Sequence, residues 1–350
     1  MNRRAAVVVA TAVAALMAVA AVAVLYATTR SHHPAPAPPL AVPSHPPGVG
    51  APPSIATSTG PFAAGPVVPP ATGSYLGAWV KPDQLTQTGR LDAVKALEKQ
   101  LGRKLDIVNT YRRFDENFFE SSDQTLSARG STLMLSWASG DTRSITAGDD
   151  DALIKEHALE LKQFGKPVLL RFRWEMDRPN LQASMWSAAD YIAAWKYVRA
   201  VFAKEGATNA SWVWCPTAEG FAGNYAQQFY PGDDQVDWVC EDVYAGATYT
   251  SIGDLSTSFL TFSAQHPSKP AMIGEFGVAR AWGTAQRAAW LADAARTFEA
   301  NPQIRAVLYF ESDPNDNKGP TQQFQLSDDP AALAAFRSLA RAPYFNPMRR

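Results

Sequence analysis

The stretch PVLLRFRWEMD, residues 167–177, decides the fold: it is an apolar run that carries two arginines and a glutamate toward its carboxyl end. Val168, Leu169 and Leu170 are apolar at consecutive positions, which is typical of a parallel strand covered on both faces. The polar residues follow where such a strand would leave the core. The stretch therefore predicts a buried strand that ends at a polar site.

Seven further runs of the same kind alternate with amphipathic segments after Ser74. Eight strands with intervening helices in about 270 residues predict a single (β/α)₈ TIM barrel over residues 74–345. A doubly wound open sheet is the competing architecture, but YLGAWVKPDQ (75–84) contains one glycine and no phosphate-binding loop. The strands are predicted at 75–80, 105–111, 131–138, 167–174, 211–216, 236–244, 270–276 and 304–311. Helices are predicted at 89–102, 150–165, 187–206, 251–266, 284–302 and 328–341, with less regular ones within 116–130 and 223–235.

The amino terminus has the pattern of a membrane-targeting segment. Arg3 and Arg4 precede an uncharged run from Ala5 to Ala27, which is long enough to span roughly 30 Å of hydrocarbon. We expect residues 1–30 to be either a cleaved signal peptide or an N-terminal anchor, and the chain to be exported. Residues 31–73 are rich in proline, alanine and glycine, which predicts a disordered linker.

The composition limits the partners. A formal net charge of −1 over 350 residues gives no basic field for nucleic acid, so we expect none to bind. No histidine falls at a predicted strand end, so we expect no metal and no organic cofactor. We expect a monomeric catalytic domain, with the membrane as a partner only if the N-terminal segment is retained. Cys215 and Cys240 lie on neighbouring predicted strands, and the sequence allows either a disulfide between them or two buried free thiols.

Two glutamates follow hydrophobic strands on opposite sides of the predicted barrel mouth. Glu175 ends the fourth strand and Glu275 ends the seventh. Either one alone is more often an ordinary loop carboxylate paired with an arginine. Together they suit hydrolysis of a glycosidic bond, which needs one protonated and one ionised carboxyl group. A carbohydrate-binding barrel without activity, acting in envelope glycan assembly, is the alternative, whereas a metal-dependent hydrolase lacks ligands in the sequence.

Four stretches resemble glycoside hydrolase family 26, a group of retaining (β/α)₈-barrel mannanases, lichenases and xylanases. The resemblance implies a retaining, endo-acting enzyme that hydrolyses a β-linked polysaccharide such as mannan or mixed-linkage glucan. The stretches are LLRFRWEMD (169–177), DYIAAWKYVRAVFAKEGATNASWVWCP (190–216), FYPGDDQVDWVCEDVYA (229–245) and KPAMIGEFGV (269–278).

The resemblance also implies residue roles. Glu175 matches the acid/base and Glu275 the nucleophile of a double displacement. Tyr244 matches a tyrosine that holds the nucleophile, and Arg171 matches an arginine that shapes the site.

Trp174 is a departure, because the family typically has histidine directly before the acid/base. We interpret this change as one of substrate rather than a loss of chemistry. Six residues at the predicted strand ends or just beyond them are candidates for substrate binding: Trp174, Asp177, Trp137, Trp282, Asp242 and Tyr111.

Overall fold

Eight parallel strands close into a barrel in chain order, β1 to β8, in a computed structural model that describes residues 65–313 and 319–347. This confirms the predicted (β/α)₈ architecture. The targeting segment predicted at 1–30 and residues 31–64 of the predicted linker lie outside the described residues. The strands are β1 Tyr75–Val80, β2 Ile107–Arg112, β3 Thr132–Trp137, β4 Val168–Phe172, β5 Ala210–Trp214, β6 Trp238–Ala245, β7 Ala271–Val278 and β8 Ile304–Glu311.

The helices cover the outside of the barrel. They are α1 Gln87–Leu101, α2 Ser121–Ala128, α3 Thr142–Ala147, α4 Asp151–Phe164, α5 Gln182–Met185, α6 Ala188–Glu205, α7 Ala218–Ala222, α8 Ile252–Leu255, α9 Thr257–Gln265, α10 Gly283–Ala300 and α11 Pro330–Arg341. None of these described helices is long and apolar enough to cross a bilayer.

Two details of the helices differ from the sequence prediction. The helix predicted at 251–266 is interrupted at Ser256, which separates α8 from α9. The short helices α3, α5 and α7 were not predicted, because they are too short to show an apolar period. Local capping forms α3: the side chain of Asp141 accepts hydrogen bonds from the backbone N–H groups of Arg143 and Ser144.

Alternation along the strands separates two apolar layers. Leu169 of β4 belongs to a cluster inside the barrel, whereas Val168 and Leu170 belong to the larger cluster between the strands and the helices. Arg171 has the same parity as Leu169 and therefore points into the barrel mouth. The inner cluster is built mainly from Ile107, Met134, Leu169, Val213, Cys215, Trp238, Cys240, Met272, Ala306 and Leu308.

A register shift in β7 changes which side chains face inward. Glu241 pairs with Ile273 and Asp242 pairs with Glu275, so Gly274 is an extra residue on β7. This bulge lets Glu275 follow Gly274 on the inner side instead of pointing out toward the helices. A Cβ at Gly274 would lie 2.5 Å from Cys240 Sγ and 2.7 Å from Asp242 Oδ1. Glycine is therefore required there by the close approach of neighbouring side chains.

The predicted end of the linker, residue 73, is corrected by the structure. Val67 is buried in the inner cluster, and its backbone N–H donates a 2.7 Å hydrogen bond to Ser211 Oγ at the start of β5. Tyr75 in turn donates its hydroxyl to Val68 O at 3.1 Å. The packed unit thus includes residues that proline-rich composition had assigned to the linker.

Cys215 and Cys240 form a disulfide between the end of β5 and β6. Both side chains are fully buried inside the barrel. Of the two alternatives that the sequence left open, the structure has the bridge.

Candidate active site

Arg171 occupies the centre of the barrel mouth and is fully buried. Its Nη1 donates to both carboxylate oxygens of Asp242, at 2.8 and 2.9 Å, and its Nη2 donates to Glu275 Oε1. Its Nε donates to Ser136 Oγ at 2.8 Å. Burial opposes the charge, but the two carboxylates raise the pKa of Arg171 above its usual value. The guanidinium is therefore a fixed cation that orients two acidic side chains.

Glu275 receives hydrogen bonds from three side chains. Besides Arg171, Tyr111 donates its hydroxyl to Oε1 at 2.5 Å, and Tyr244 donates its hydroxyl to Oε2. Burial alone would raise the pKa of Glu275, but Arg171 and the three hydrogen bonds together lower it. Burial, followed by the charge of Glu275, raises the pKa values of both tyrosines, which keeps their hydroxyls protonated. Glu275 is thus held as an oriented carboxylate.

Glu175 lies opposite in a different environment. The residue is 5% exposed, and one of its carboxylate oxygens lies within 4.8 Å of an oxygen of Glu275. Burial and the neighbouring charge of Glu275 raise the pKa of Glu175 to about 7, against the effect of Arg178 and Arg171. Below about pH 7, therefore, Glu175 holds a proton while Glu275 is ionised.

The backbone around Glu175 is irregular. Arg173 and Glu175 have φ of 46° and 53°, in the left-handed region that non-glycine residues rarely adopt. Such a conformation costs on the order of 1–3 kcal/mol and persists only where the surroundings enforce it. At Glu175 the backbone N–H donates a 2.7 Å hydrogen bond to Cys215 O. The turn directs the carboxyl group back over the barrel mouth.

Arg178 pairs with Glu175, and this contact was not predicted from the sequence. Its Nη2 lies 2.7 Å from Glu175 Oε1, and its side chain is 48% exposed in the cleft. The sequence signal was its position three residues after the glutamate, but the turn that brings the two together has no periodicity. Arg178 is the cation that moderates the raised pKa of Glu175.

Trp174, the departure from the family pattern, forms part of the cleft wall beside Glu175. Its ring lies 4.9 Å from that of Tyr111. The guanidinium carbons of Arg173 and Arg171 lie 4.8 and 5.7 Å from the ring centroid. Cation–π attraction and ring contact thus hold the indole in one orientation. The structure brings Trp174 and Tyr111 to the cleft, although the Tyr111 hydroxyl is engaged by Glu275.

The two candidate carboxylates lie at the floor of a cleft of about 960 Å³. Sequence reasoning did not select two of its aromatic walls, Trp79 of β1 and Phe310 of β8. Their parity along the strands was the available signal, because Gly77 and Leu308 precede them on the inner side of the barrel. Aromatic rings on the inner side of strand ends suit stacking against sugar rings. The described aromatic lining comprises Trp79, Tyr111, Trp174, Tyr244, Phe310 and Phe324.

Three predicted substrate-binding residues are not brought to the cleft surface. Trp137 is fully buried against Phe114 and Phe118, because its parity on β3 directs it toward the helices. Trp282 does not line the cleft, and its Nε1 donates to Ala245 O and Gly246 O at 3.2 and 2.8 Å. Both oxygens of Asp242 are engaged by Arg171. Trp137 therefore packs in the core, Trp282 supports the loop after β6, and Asp242 pairs with Arg171. Substrate contact by Trp282 stays a prediction.

Asp177 lies beside the site but is turned away from the main cleft. It is 6% exposed and lines a smaller neighbouring cavity of about 450 Å³. Thr217 Oγ1 donates to its Oδ2 at 2.6 Å, and the backbone N–H of Thr217 donates to its Oδ1 at 3.1 Å. Asp177 thus joins the loop after β4 to the start of α7, where Thr217 is also the N-cap.

Two groups in the described part of the chain place metal-ligand atoms within 4.8 Å of one another. The first is Glu175 with Asp242 and Glu275, and the second is Cys215 with Cys240 and Asp242. In the first, Arg171 already provides the positive charge. In the second, the two sulfurs are joined in a disulfide and are not the thiolates that metals bind. Both groups therefore fit a metal poorly, and cofactor-free chemistry stays a prediction.

Comparisons with known proteins agree on one family. Residues 131–279 match the family model described as glycosyl hydrolase family 26. The chain is 29% identical over 298 residues to endoglucanase H of Acetivibrio thermocellus, covering 79% of this chain and 31% of that protein. It is 30% identical over 148 residues to the β-1,3-xylanase TXYA of a Vibrio species, covering 39% of this chain and 29% of that protein. The chain thus spans less than a third of the length of the curated relatives it matches.

Solved structures share the fold. The catalytic domain of the family 26 endo-β-1,4-mannanase of Bacillus sp. JAMB-750 superposes with a TM-score of 0.61 at 16% sequence identity. The match covers 78% of this chain and 86% of that domain. At this identity the likeness concerns the barrel alone.

Thr217→Val tests the anchoring of Asp177. The substitution removes the hydroxyl that donates to a buried carboxylate and also caps α7. We expect the free energy of unfolding, measured by urea denaturation, to fall by about 1–3 kcal/mol. Thr217→Ser keeps the hydroxyl and loses one methyl group, so a loss below about 1 kcal/mol is expected. Equal losses in the two variants would contradict the role of the hydroxyl.

Proposed function

This chain belongs to glycosyl hydrolase family 26, and we propose that it is a retaining, endo-acting β-glycosidase that hydrolyses a β-linked polysaccharide such as mannan or mixed-linkage glucan. The observation that carries the proposal is the pair Glu175 and Glu275, whose nearest oxygens lie within 4.8 Å. Retaining glycosidases hold their carboxyl groups about 5–5.5 Å apart, whereas inverting ones need about 6.5–9.5 Å for a water molecule. The separation thus favours direct attack by one carboxylate.

The different environments of the two glutamates suggest their roles. Glu275, kept ionised by Arg171, Tyr111 and Tyr244, attacks the anomeric carbon as the glycosidic bond breaks. Glu175, which holds a proton below about pH 7, gives that proton to the leaving oxygen. Glu175 then accepts a proton from water as that water attacks the anomeric carbon of the glycosyl-enzyme. The bond to Glu275 breaks, and both glutamates return to their starting states.

The proposed substrate class rests on the cleft and on the relatives. Trp79, Trp174 and Phe310 line the same cleft as the two glutamates and offer aromatic surface for sugar rings. Three similar proteins are named a glucanase, a β-1,3-xylanase and an endo-β-1,4-mannanase. Because their sugars differ, the proposal extends to β-linked polysaccharides, and a panel of mannans, mixed-linkage glucans and xylans would identify the sugar.

We also propose that the chain is exported. Arg3 and Arg4 before the apolar run to Ala27 support targeting, and a disulfide suits an oxidising compartment. Fractionation of the full chain, followed by N-terminal sequencing, tests both export and retention of the segment. Recovery in the cytoplasm with Met1 intact would contradict export.

Glu275→Ala should abolish turnover while leaving the barrel folded, because the variant lacks the attacking carboxylate. We expect a mechanism-based glycosyl inhibitor to label Glu275 in the unchanged protein, as identified by peptide mass spectrometry. A non-catalytic binding barrel would bind oligosaccharide without being labelled. Full activity of the variant would exclude Glu275 as the nucleophile.

Glu175→Ala should affect substrates according to their leaving group. With polysaccharide we expect kcat to fall by about 10²–10⁴-fold, because the leaving oxygen needs a proton. With an aryl glycoside whose leaving group is already acidic, the first step should be nearly unchanged, measured as the rate of the initial burst. Equal losses for the two substrates would exclude the acid role.

The pH dependence of kcat/KM should be bell-shaped. Activity is lost as pH rises through about 7, where Glu175 loses its proton, and as pH falls below the lowered pKa of Glu275. Because Arg178 lowers the pKa of Glu175, Arg178→Gln should move the alkaline limb to higher pH. Arg113→Gln is the control, since Arg113 is exposed and pairs with Asp115 and Glu116. If the alkaline limb of the kcat/KM profile did not move in Arg178→Gln, the effect of Arg178 on the pKa of Glu175 would be contradicted.

A further inference from the structure

The disulfide lies where the ladder between β5 and β6 opens. The two strands pair at Val213 with Trp238 and at Trp214 with Val239, and meet again only at Thr217 with Asp242. Cys215 and Cys240 lie between these two points and are fully buried. The covalent link thus joins the strands at the level where regular hydrogen bonding gives way to the active site.

One end of the bridge supports Glu175. The carbonyl oxygen of Cys215 accepts the 2.7 Å hydrogen bond from the backbone N–H of Glu175. Glu175 has a left-handed backbone, which this side chain does not favour by itself, so its neighbours determine where the carboxyl group points. The next carbonyl, that of Pro216, accepts the backbone N–H of Asp242 at 3.0 Å. The segment after β5 therefore links the loop of Glu175 to β6.

The other end of the bridge supports Glu275. Gly274 lies directly on the two sulfurs, because a Cβ there would be 2.5 Å from Cys240 Sγ and 2.8 Å from Cys215 Sγ. Cys215 Sγ also lies 3.2 Å from Asp242 Oδ1 and 3.7 Å from Arg171 Nη1. The bridge is thus the floor beneath the bulge that turns Glu275 inward and beneath the ion pair that orients it.

We propose that the Cys215–Cys240 disulfide is a positioning element that sets the distance between the two catalytic glutamates. The proposal rests on the glycosidase function proposed above. The chemical reason is that the rate of a displacement by one carboxylate, assisted by the other, depends steeply on the distance and orientation of the two groups. A shift of about 1 Å at a reacting group can cost about 10²-fold in rate.

The test compares the full chain with its Cys215→Ala/Cys240→Ala double variant. We expect kcat on a β-glycan to fall by about 10–100-fold while KM changes by less than about threefold, because positioning of the carboxyl groups is lost and the cleft walls remain. Ile107→Ala is the matched control: Ile107 lies in the same inner cluster at the start of β2, away from the bridge. Below its unfolding temperature this control should keep the kcat of the unchanged protein.

A second readout does not depend on turnover. Carbon-13 NMR titration of the glutamate carboxyl groups should show a changed pKa for Glu175 in the double variant and an unchanged one in Ile107→Ala. If the unchanged protein hydrolyses no β-glycan, the proposed function fails, and this titration alone decides the positioning role. An unaltered kcat, or an unaltered Glu175 titration, in the double variant would overturn the inference.

If the double variant does not fold, a third measurement tests the proposal on the unchanged protein. The unchanged protein is refolded with and without reductant, and thiols are counted in denaturant. A dithiol form with lower kcat that recovers on oxidation supports the proposal. A dithiol form as active as the oxidised one, or two free thiols in the purified active protein, would overturn it.

Discussion

A buried guanidinium at the barrel mouth determines the arrangement of the groups around it. Arg171 cannot shed its proton in a protein, and a lone charge inside a barrel costs several kcal/mol. The surrounding strands must therefore supply carboxylate oxygen atoms, and β6 and β7 do so through Asp242 and Glu275. The pKa of Glu275 is lowered, whereas burial raises the pKa of Asp242, so Glu275 is the group that the site holds ionised. The bulge at Gly274 is part of the same requirement, because without it Glu275 would point away from the charge.

The same cation makes the two glutamates chemically different. Arg171 and two tyrosine hydroxyls favour the ionised form of Glu275. Glu175 is nearly as buried, but its cation, Arg178, is half exposed, and the charge with the largest effect on the pKa of Glu175 is that of Glu275. Two identical side chains at one mouth thus differ in charge below about pH 7, which is the condition that displacement with acid assistance requires.

The sequence predicted the regular parts of the molecule better than the irregular ones. Eight consecutive apolar runs indicated the strands, and position behind a strand indicated Glu175 and Glu275, because both signals follow from burial. Trp137 was preferred to Trp79 as a cleft residue, which was wrong, although strand parity distinguishes the two. The bulge at Gly274 and the left-handed turn at Glu175 have no periodic signature. The pairing of Arg178 with Glu175 depends on that turn and could not be predicted.

Trp174 has a consequence for selectivity. An indole can donate a hydrogen bond but cannot accept one, and this ring is fixed by Tyr111 and two guanidiniums. A wall of this kind recognises a sugar by its flat apolar face. An apolar surface rejects a misplaced hydroxyl by only about 10²-fold, whereas a site built around a hydrogen bond rejects its absence by about 10⁴–10⁵-fold. Under the proposed glycosidase function, the cleft should therefore tolerate sugar epimers that differ at the ring carbon facing Trp174.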